Sequence, residues 1–230
     1  PRPATVDDGG NVPMGTVRLA GRACASAGLT HPRNRRNLLF MSYIEMPDAP
    51  GIMGPMMFRP QTAKPLFDLA EALLRGESPL SRGDREVIAA YVSTLNQCQF
   101  CANSHATFAA LQLDGGFDVV DAVIADPATA PISTKLRALL AVAALVAESG
   151  LAVTEQAIEA ARAEGATDVE IHDTVLIAAA FCMYNRYVDG LGAITPPERA
   201  DYADIGQLIV GLGYAAATPP VPAPGSEAAG

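Results

Sequence analysis

Residues 86–105 read EVIAAYVSTLNQCQFCANSH. The stretch opens on an acid, runs through Val87, Ile88, Ala89, Ala90 and Val92, and closes on Cys98, Cys101 and His105. Two of the four cysteines and one of the three histidines thus fall within eight residues. The apolar run predicts one helix carrying Glu86. Asn96, a residue type favoured at helix N-caps, predicts the start of a second helix that folds back on the first. On that second helix Cys98, Cys101 and His105 stand at i, i+3 and i+7, which places them on one face. Two sulfurs at this spacing reach disulfide distance. A helix N-terminus beneath them favours the thiolate, and a neighbouring imidazole takes up or returns the thiol proton.

Helical patterning continues on both sides. Upstream, Leu66, Phe67, Leu69, Ala70, Leu73 and Leu74 predict an amphipathic helix over 64–75, ended by Gly76. Ser81, with Asp84 three positions on, predicts the N-cap of the helix bearing Glu86. Downstream, helices are predicted over 119–125, over 134–148 capped by Ser133, over 155–164 capped by Thr154, from Thr167 or Asp168 to about 189, and over 197–212. A short helix is also open over 16–27, and 38–44 reads as a packed apolar segment. MPDAPGIMGPMMFRP, residues 46–60, carries four prolines and two glycines and is predicted to be a loop. Its four methionines read as adaptable packing or, alternatively, as the lining of a substrate entrance. No segment alternates cleanly as a strand, so the fold class is all-α. Segments 84–106 and 168–190 echo one another: each has an acid near the start of an apolar helical run and a polar cluster near its end, as two related helical halves would. Within the second cluster, Asn185 and Asp189 share a helical face and predict a buried hydrogen-bond network, or an ion pair of Arg186 with an aspartate.

Composition agrees with this class. Half of the 230 residues are hydrophobic, aromatics are 6% and tryptophan is absent, a balance that suits close-packed helices. The net charge of −9 argues against nucleic acid as a partner. The basic cluster HPRNRRN, residues 31–37, reads as a solvated arm. Four cysteines are too few for a disulfide scaffold, and Cys182, inside IAAAFCMY, reads as an inert thiol. The longest apolar run, Leu136–Ala147, contains Arg137 and is too short to cross a bilayer. A reduced, cytoplasmic protein is expected. The chain does not begin with methionine, so removal of a leader stays open.

The spacing Glu86-x11-Cys98-x2-Cys101-x3-His105 resembles the active-site signature of alkyl hydroperoxidase D-like (AhpD-like) proteins, within the wider carboxymuconolactone decarboxylase family, and this chain is most similar to the peroxidase-related branch. PLFDLAEALLRGESPLSRGDRE, KLRALLAVAALVAESG and FCMYNRYVDGLG extend the likeness over about residues 58–195. At one point the chain departs: well-studied members carry a histidine between the cysteines, whereas Gln99 and Phe100 stand here. The resemblance implies a multi-helical bundle over 58–213, preceded by an arm and loop region over 1–57 and followed by a disordered tail over 214–230. It also implies a thiol-dependent hydroperoxide reductase that needs neither metal nor organic cofactor, is reset by an external dithiol or protein reductant, and assembles as a homo-oligomer, a trimer or larger.

In that reading Cys101 attacks the peroxide, Cys98 resolves it, His105 is the base and Glu86 orients His105. Residue chemistry alone points the other way for the sulfurs, because Cys98 lies nearer the expected helix N-terminus. Three rivals remain at this level. One is a zinc site of Cys98, Cys101 and His105 with Glu86 or Cys182. Another is a decarboxylase- or lactone-type enzyme, although branches with that chemistry generally lack the cysteine pair. The third is a non-catalytic dithiol redox sensor.

Overall fold

The computed structural model describes residues 42–220. The basic cluster at 31–37, Cys24, His31 and the segment 16–27 lie outside these residues.

Nine α-helices form among the described residues, with no strand beyond a single parallel bridge between Pro50 and Ile194. They are α1 (Met53–Phe58), α2 (Pro60–Arg75), α3 (Arg82–Leu95), α4 (Gln99–Ala110), α5 (Gly116–Ala125), α6 (Thr134–Glu148), α7 (Glu155–Ala163), α8 (Asp168–Gly190) and α9 (Ala203–Leu212). Short 3-10 turns follow at Gly150–Ala152, Arg199–Tyr202 and Tyr214–Ala217. The molecule is an all-α bundle centred on α3.

Helix α3 is central because it is apolar on nearly every side. Val87, Ile88, Ala89, Ala90 and Val92 are all buried, and α3 packs on α4, α8, α6, α5 and α2. The core it shares with Leu74, Leu139, Leu140, Ile177 and Phe181 supplies the burial that drives folding, of order 1.5–3 kcal/mol for each such side chain. Where α3 buries polar groups, they have partners. The Arg85 guanidinium donates to the Leu73 and Gly76 carbonyls, each at 3.0 Å, which closes the C-terminal end of α2. The Ser81 hydroxyl accepts from the Asp84 N–H at 3.0 Å, and Ser133 and Thr154 cap α6 and α7 in the same way. Thr167 and Glu170 form a reciprocal capping box that starts α8.

Several expectations change. First, Asn96 is not the N-cap of the cysteine helix; it is the C-cap of α3, and Cys98 is the N-cap of α4. The turn between them is a Schellman motif: Cys98 N–H bonds the Ser93 carbonyl at 3.0 Å and Gln97 N–H bonds the Thr94 carbonyl at 2.9 Å. Gln97 takes the left-handed position, at φ 61°, where glycine is usual. Second, residues 46–60 are not wholly loop, since Met53–Phe58 is helical and Met56 is fully buried. Third, the packed structure does not stop at 213. Tyr214 is buried in the last 3-10 turn, against α2 and α9. The expected final helix over 197–212 is likewise split, into the turn Arg199–Tyr202 and α9.

The predicted echo holds at its beginning and fails at its end. Glu86 in α3 and Glu170 in α8 are both 1% exposed, each near the start of its helix. But 84–106 breaks into α3 and α4, whereas 168–190 is one unbroken helix.

Candidate active site

The turn at 96–98 brings α4 back along α3, and that reversal assembles the site. Glu86 sits one turn inside α3 and His105 near the middle of α4. They meet in the core: His105 Nδ1 lies 2.7 Å from Glu86 Oε2. The other carboxylate oxygen, Oε1, accepts a hydrogen bond from the Tyr214 hydroxyl at 2.8 Å. Each oxygen of this buried acid therefore has its own donor, as a buried carboxylate requires. An ionised Glu86 only accepts, so Nδ1 donates and, in the neutral ring, Nε2 carries the lone pair.

Aromatic side chains fix the imidazole plane. Phe181 and Phe108 meet His105 edge-on, with centroids at 4.5 and 5.1 Å, and Tyr214 lies nearly parallel to it at 6.4 Å and 17°. Burial, then the negative Glu86, push the Tyr214 phenol well above its ordinary pKa, so the hydroxyl remains a donor.

His105 and Cys101 both line an apolar cavity of about 60 Å³, walled by Ile52, Met56, Phe67, Phe100 and Phe181 among others. The volume accommodates a small molecule fragment and its lining is almost wholly hydrocarbon. Phe100, between the two cysteines, is one of the walls. Its ring presses on Gly51, where an added Cβ would lie 2.1 Å from it. Gly51, at φ +51°, is thus required both by its backbone and by the ring against it. Of the methionines in segment 46–60, Met56 packs into the wall of this cavity and is buried.

Cys98 faces elsewhere. It contributes instead to a cleft of about 310 Å³ with Ser93, Gln97, Asn103 and Arg199. Cys98 and Cys101 pack against Val188, Ile52, Phe100 and Ala193, and both are free thiols. A hydrogen bond with Cys101 and burial push the Cys98 thiol well above its ordinary pKa. Cys98 thus keeps its proton. Burial raises the Asp189 carboxyl, while a hydrogen bond with Cys98 opposes the rise.

The network expected around Asn185 exists, with different members. Asn185 donates to Ser93 Oγ at 3.0 Å and accepts from Asn96 Nδ2 at 2.8 Å, which ties α8 to the α3–α4 turn. Arg186 donates to the Cys182 carbonyl rather than pairing with an aspartate, and Cys182 is half-buried. His172 is exposed and contacts Asp173. The four-donor zinc arrangement does not assemble: Glu86 commits both oxygens to His105 and Tyr214. Among the described residues no group of three or more His, Cys, Asp or Glu side chains is placed to hold a metal ion. No described helix is long and apolar enough to cross a membrane.

The sequence reading missed Tyr214. Its only local signal is an aromatic residue directly after a glycine, at the end of an apolar helix; its partners Glu71 and Glu86 are more than a hundred residues away in the chain.

Comparison with known proteins agrees with this architecture. The model of the carboxymuconolactone decarboxylase family matches residues 60–114 and 117–196. Among solved structures, the chain is similar to an alkylhydroperoxidase AhpD core, an uncharacterized peroxidase-related protein from Ralstonia eutropha JMP134. The identity is 27% and the TM-score 0.61, over 69% of this chain and 82% of that one. It is also similar to an uncharacterized peroxidase-related protein from Silicibacter sp. TM1040, with 26% identity and a TM-score of 0.60 over 67% of this chain and 78% of that one. No curated protein matches.

Proposed function

This chain belongs to the carboxymuconolactone decarboxylase family, and from that premise we propose that it is a thiol-dependent hydroperoxide reductase. The observation that carries the proposal is that one apolar cavity is lined by both Cys101 and His105, while His105 is anchored from behind by Glu86. The peroxidase-related neighbours favour the same activity.

The proposed roles follow from position. Cys101 is the attacking sulfur because it lines the cavity together with His105; Cys98, its neighbour outside that cavity, is the resolving thiol. This favours the order implied by the family resemblance over the order from helix position alone, since of the two sulfurs Cys101 is the one that shares the cavity with His105. His105 takes the Cys101 proton, and Glu86 holds the imidazole in place and stabilises its charged form. The Cys101 thiolate attacks the peroxide. A sulfur–oxygen bond forms, the O–O bond breaks, and the alkoxide leaves as an alcohol with the proton from His105. Cys98 then attacks the Cys101 sulfenic acid. A disulfide forms and water departs with the Cys98 proton. An external dithiol supplies the two electrons that restore the thiols.

The test is organic hydroperoxide consumption with a dithiol donor. Wild type should turn over repeatedly and saturate, and Cys101→Ser should not turn over. Equal rates in the two proteins would overturn the assignment. A single slow stoichiometric oxidation of wild type would leave a redox sensor in its place.

A further inference from the structure

Glu86, His105, Cys101 and Cys98 have roles in the reaction above; the fully buried hydroxyl that touches Glu86 does not. We propose that Tyr214 is a positioning residue of the proton relay. Delivered by a polar staple between α2 and the C-terminal turn, its hydroxyl fixes the Glu86 carboxyl group in the position that orients His105, so the site is complete only when residues 213–214 are docked. The inference rests on the hydroperoxide reductase reading for its purpose, but not for its test.

The need for such a donor is electrostatic. Glu86 is 1% exposed, and a buried carboxyl group needs a hydrogen-bond partner for each of its oxygens. His105 serves Oε2 and Tyr214 serves Oε1, at 2.7 and 2.8 Å. The phenol keeps its proton, because burial and Glu86 both oppose ionisation. The contact is thus always a donation toward the carboxylate. The ring stacks along His105 and lines the cavity, so the hydroxyl cannot move without disturbing the imidazole.

The staple that delivers it lies outside the relay. Tyr214 N–H donates to Glu71 Oε2 at 2.7 Å, and Arg75 Nε donates to Glu71 Oε1 at 3.2 Å. Arg75 Nη1 also donates to the carbonyls of Ile209 and Val210, each at 3.0 Å, which satisfies carbonyls at the end of α9. Gly213 makes the bend at φ +89°, and a Cβ there would lie 2.6 Å from Glu71 Oε2. Glu71 and Arg75 of α2 and the segment 209–214 therefore fix the height at which the phenol meets Glu86.

The experiment is the rate of Cys101 alkylation by iodoacetamide as a function of pH, read by peptide mass spectrometry in the full chain. This readout needs no peroxide turnover. Tyr214→Phe keeps the ring and removes the hydroxyl. The Cys101 alkylation curve is expected to move toward higher pH by about one unit, with alkylation near neutral pH slowed roughly tenfold. Glu86→Gln should move it in the same direction, and adding Tyr214→Phe to Glu86→Gln should change nothing more, since the phenol acts through the carboxylate. A Tyr214→Phe curve superimposable on wild type would overturn the proposal. So would an undiminished effect of Tyr214→Phe in the Glu86→Gln background, which would mean that the hydroxyl acts by a route other than the Glu86 carboxylate. Wild type that consumes no hydroperoxide would remove the activity proposed above and leave these curves as informative as before.

Discussion

Helices α3 and α8 each bury a glutamate near their first turn to the same depth, and the two carboxylates have opposite fates. Glu170 turns back on its own helix start. It accepts from the Thr167 N–H at 2.7 Å, from the Thr167 hydroxyl at 2.9 Å and from Lys135 Nζ at 2.5 Å. Glu86 turns across the bundle to an imidazole and a phenol that border a cavity. Burial of an acid therefore does not make a site. What matters is whether its partners are a cap and a lysine, which end the chain of contacts, or a histidine that shares a cavity with a thiol, which continues it. The break after α3 is what permits the second outcome, because it returns α4 alongside Glu86. The unbroken α8 has no such return.

The largest effect expected from breaking this contrast is at the sulfurs. Cys101→Ser should lower hydroperoxide turnover by more than about 10³-fold, the scale of losing a nucleophile. Cys98→Ser should still form one equivalent of sulfenic acid, trapped by dimedone, but no disulfide. Next, Glu86→Gln should cost turnover on the order of 10–100-fold with modest change in stability. Glu170→Gln should leave turnover per folded molecule unchanged and cost about 1–3 kcal/mol of stability by urea unfolding, as loss of a charge-assisted buried bond does.

The pH dependence of that stability has a sign. Burial pushes the Glu170 carboxyl up, but the hydrogen bonds from Lys135 and Thr167 overcome it, and its pKa lies below the ordinary value. A depressed folded-state pKa contributes stability above the unfolded value, about 4.3, and loses it as pH falls through the folded value. The wild-type urea midpoint should therefore fall more steeply below about pH 4 than that of Glu170→Gln. Parallel curves would contradict the ion pair. The smallest effect is at the turn. Gln97→Gly should stabilise by about 1 kcal/mol, since glycine takes the left-handed position without the penalty carried by a side chain.

Local physics made much of this legible in advance. Ser81, Ser133, Thr154 and Thr167 are caps where short hydroxyls precede apolar periodicity, and the signature Glu86, Cys98, Cys101 and His105 points to the two helices that the structure packs together. Asn96 was misread because asparagine caps either end of a helix, and a left-handed Gln97 leaves no trace in composition. Tyr214 was invisible for another reason. Its place is set by Glu71, Arg75 and Glu86, contacts between distant parts of the chain that neither periodicity nor turn chemistry encodes. The asymmetry between the two sulfurs, one on the cavity and one on a separate cleft, is likewise a property of how α4 packs on α3 and α8.

The central claim is that Cys98 and Cys101 act as one redox couple opening on a peroxide-sized cavity. Free thiols should be titrated before and after one equivalent of an organic hydroperoxide, followed by mass spectrometry of the peptide that holds both residues. The account predicts that two of the four thiols disappear and that this peptide loses two hydrogens as an internal disulfide. An unchanged thiol count, or oxidation confined to Cys24 or Cys182, would contradict it.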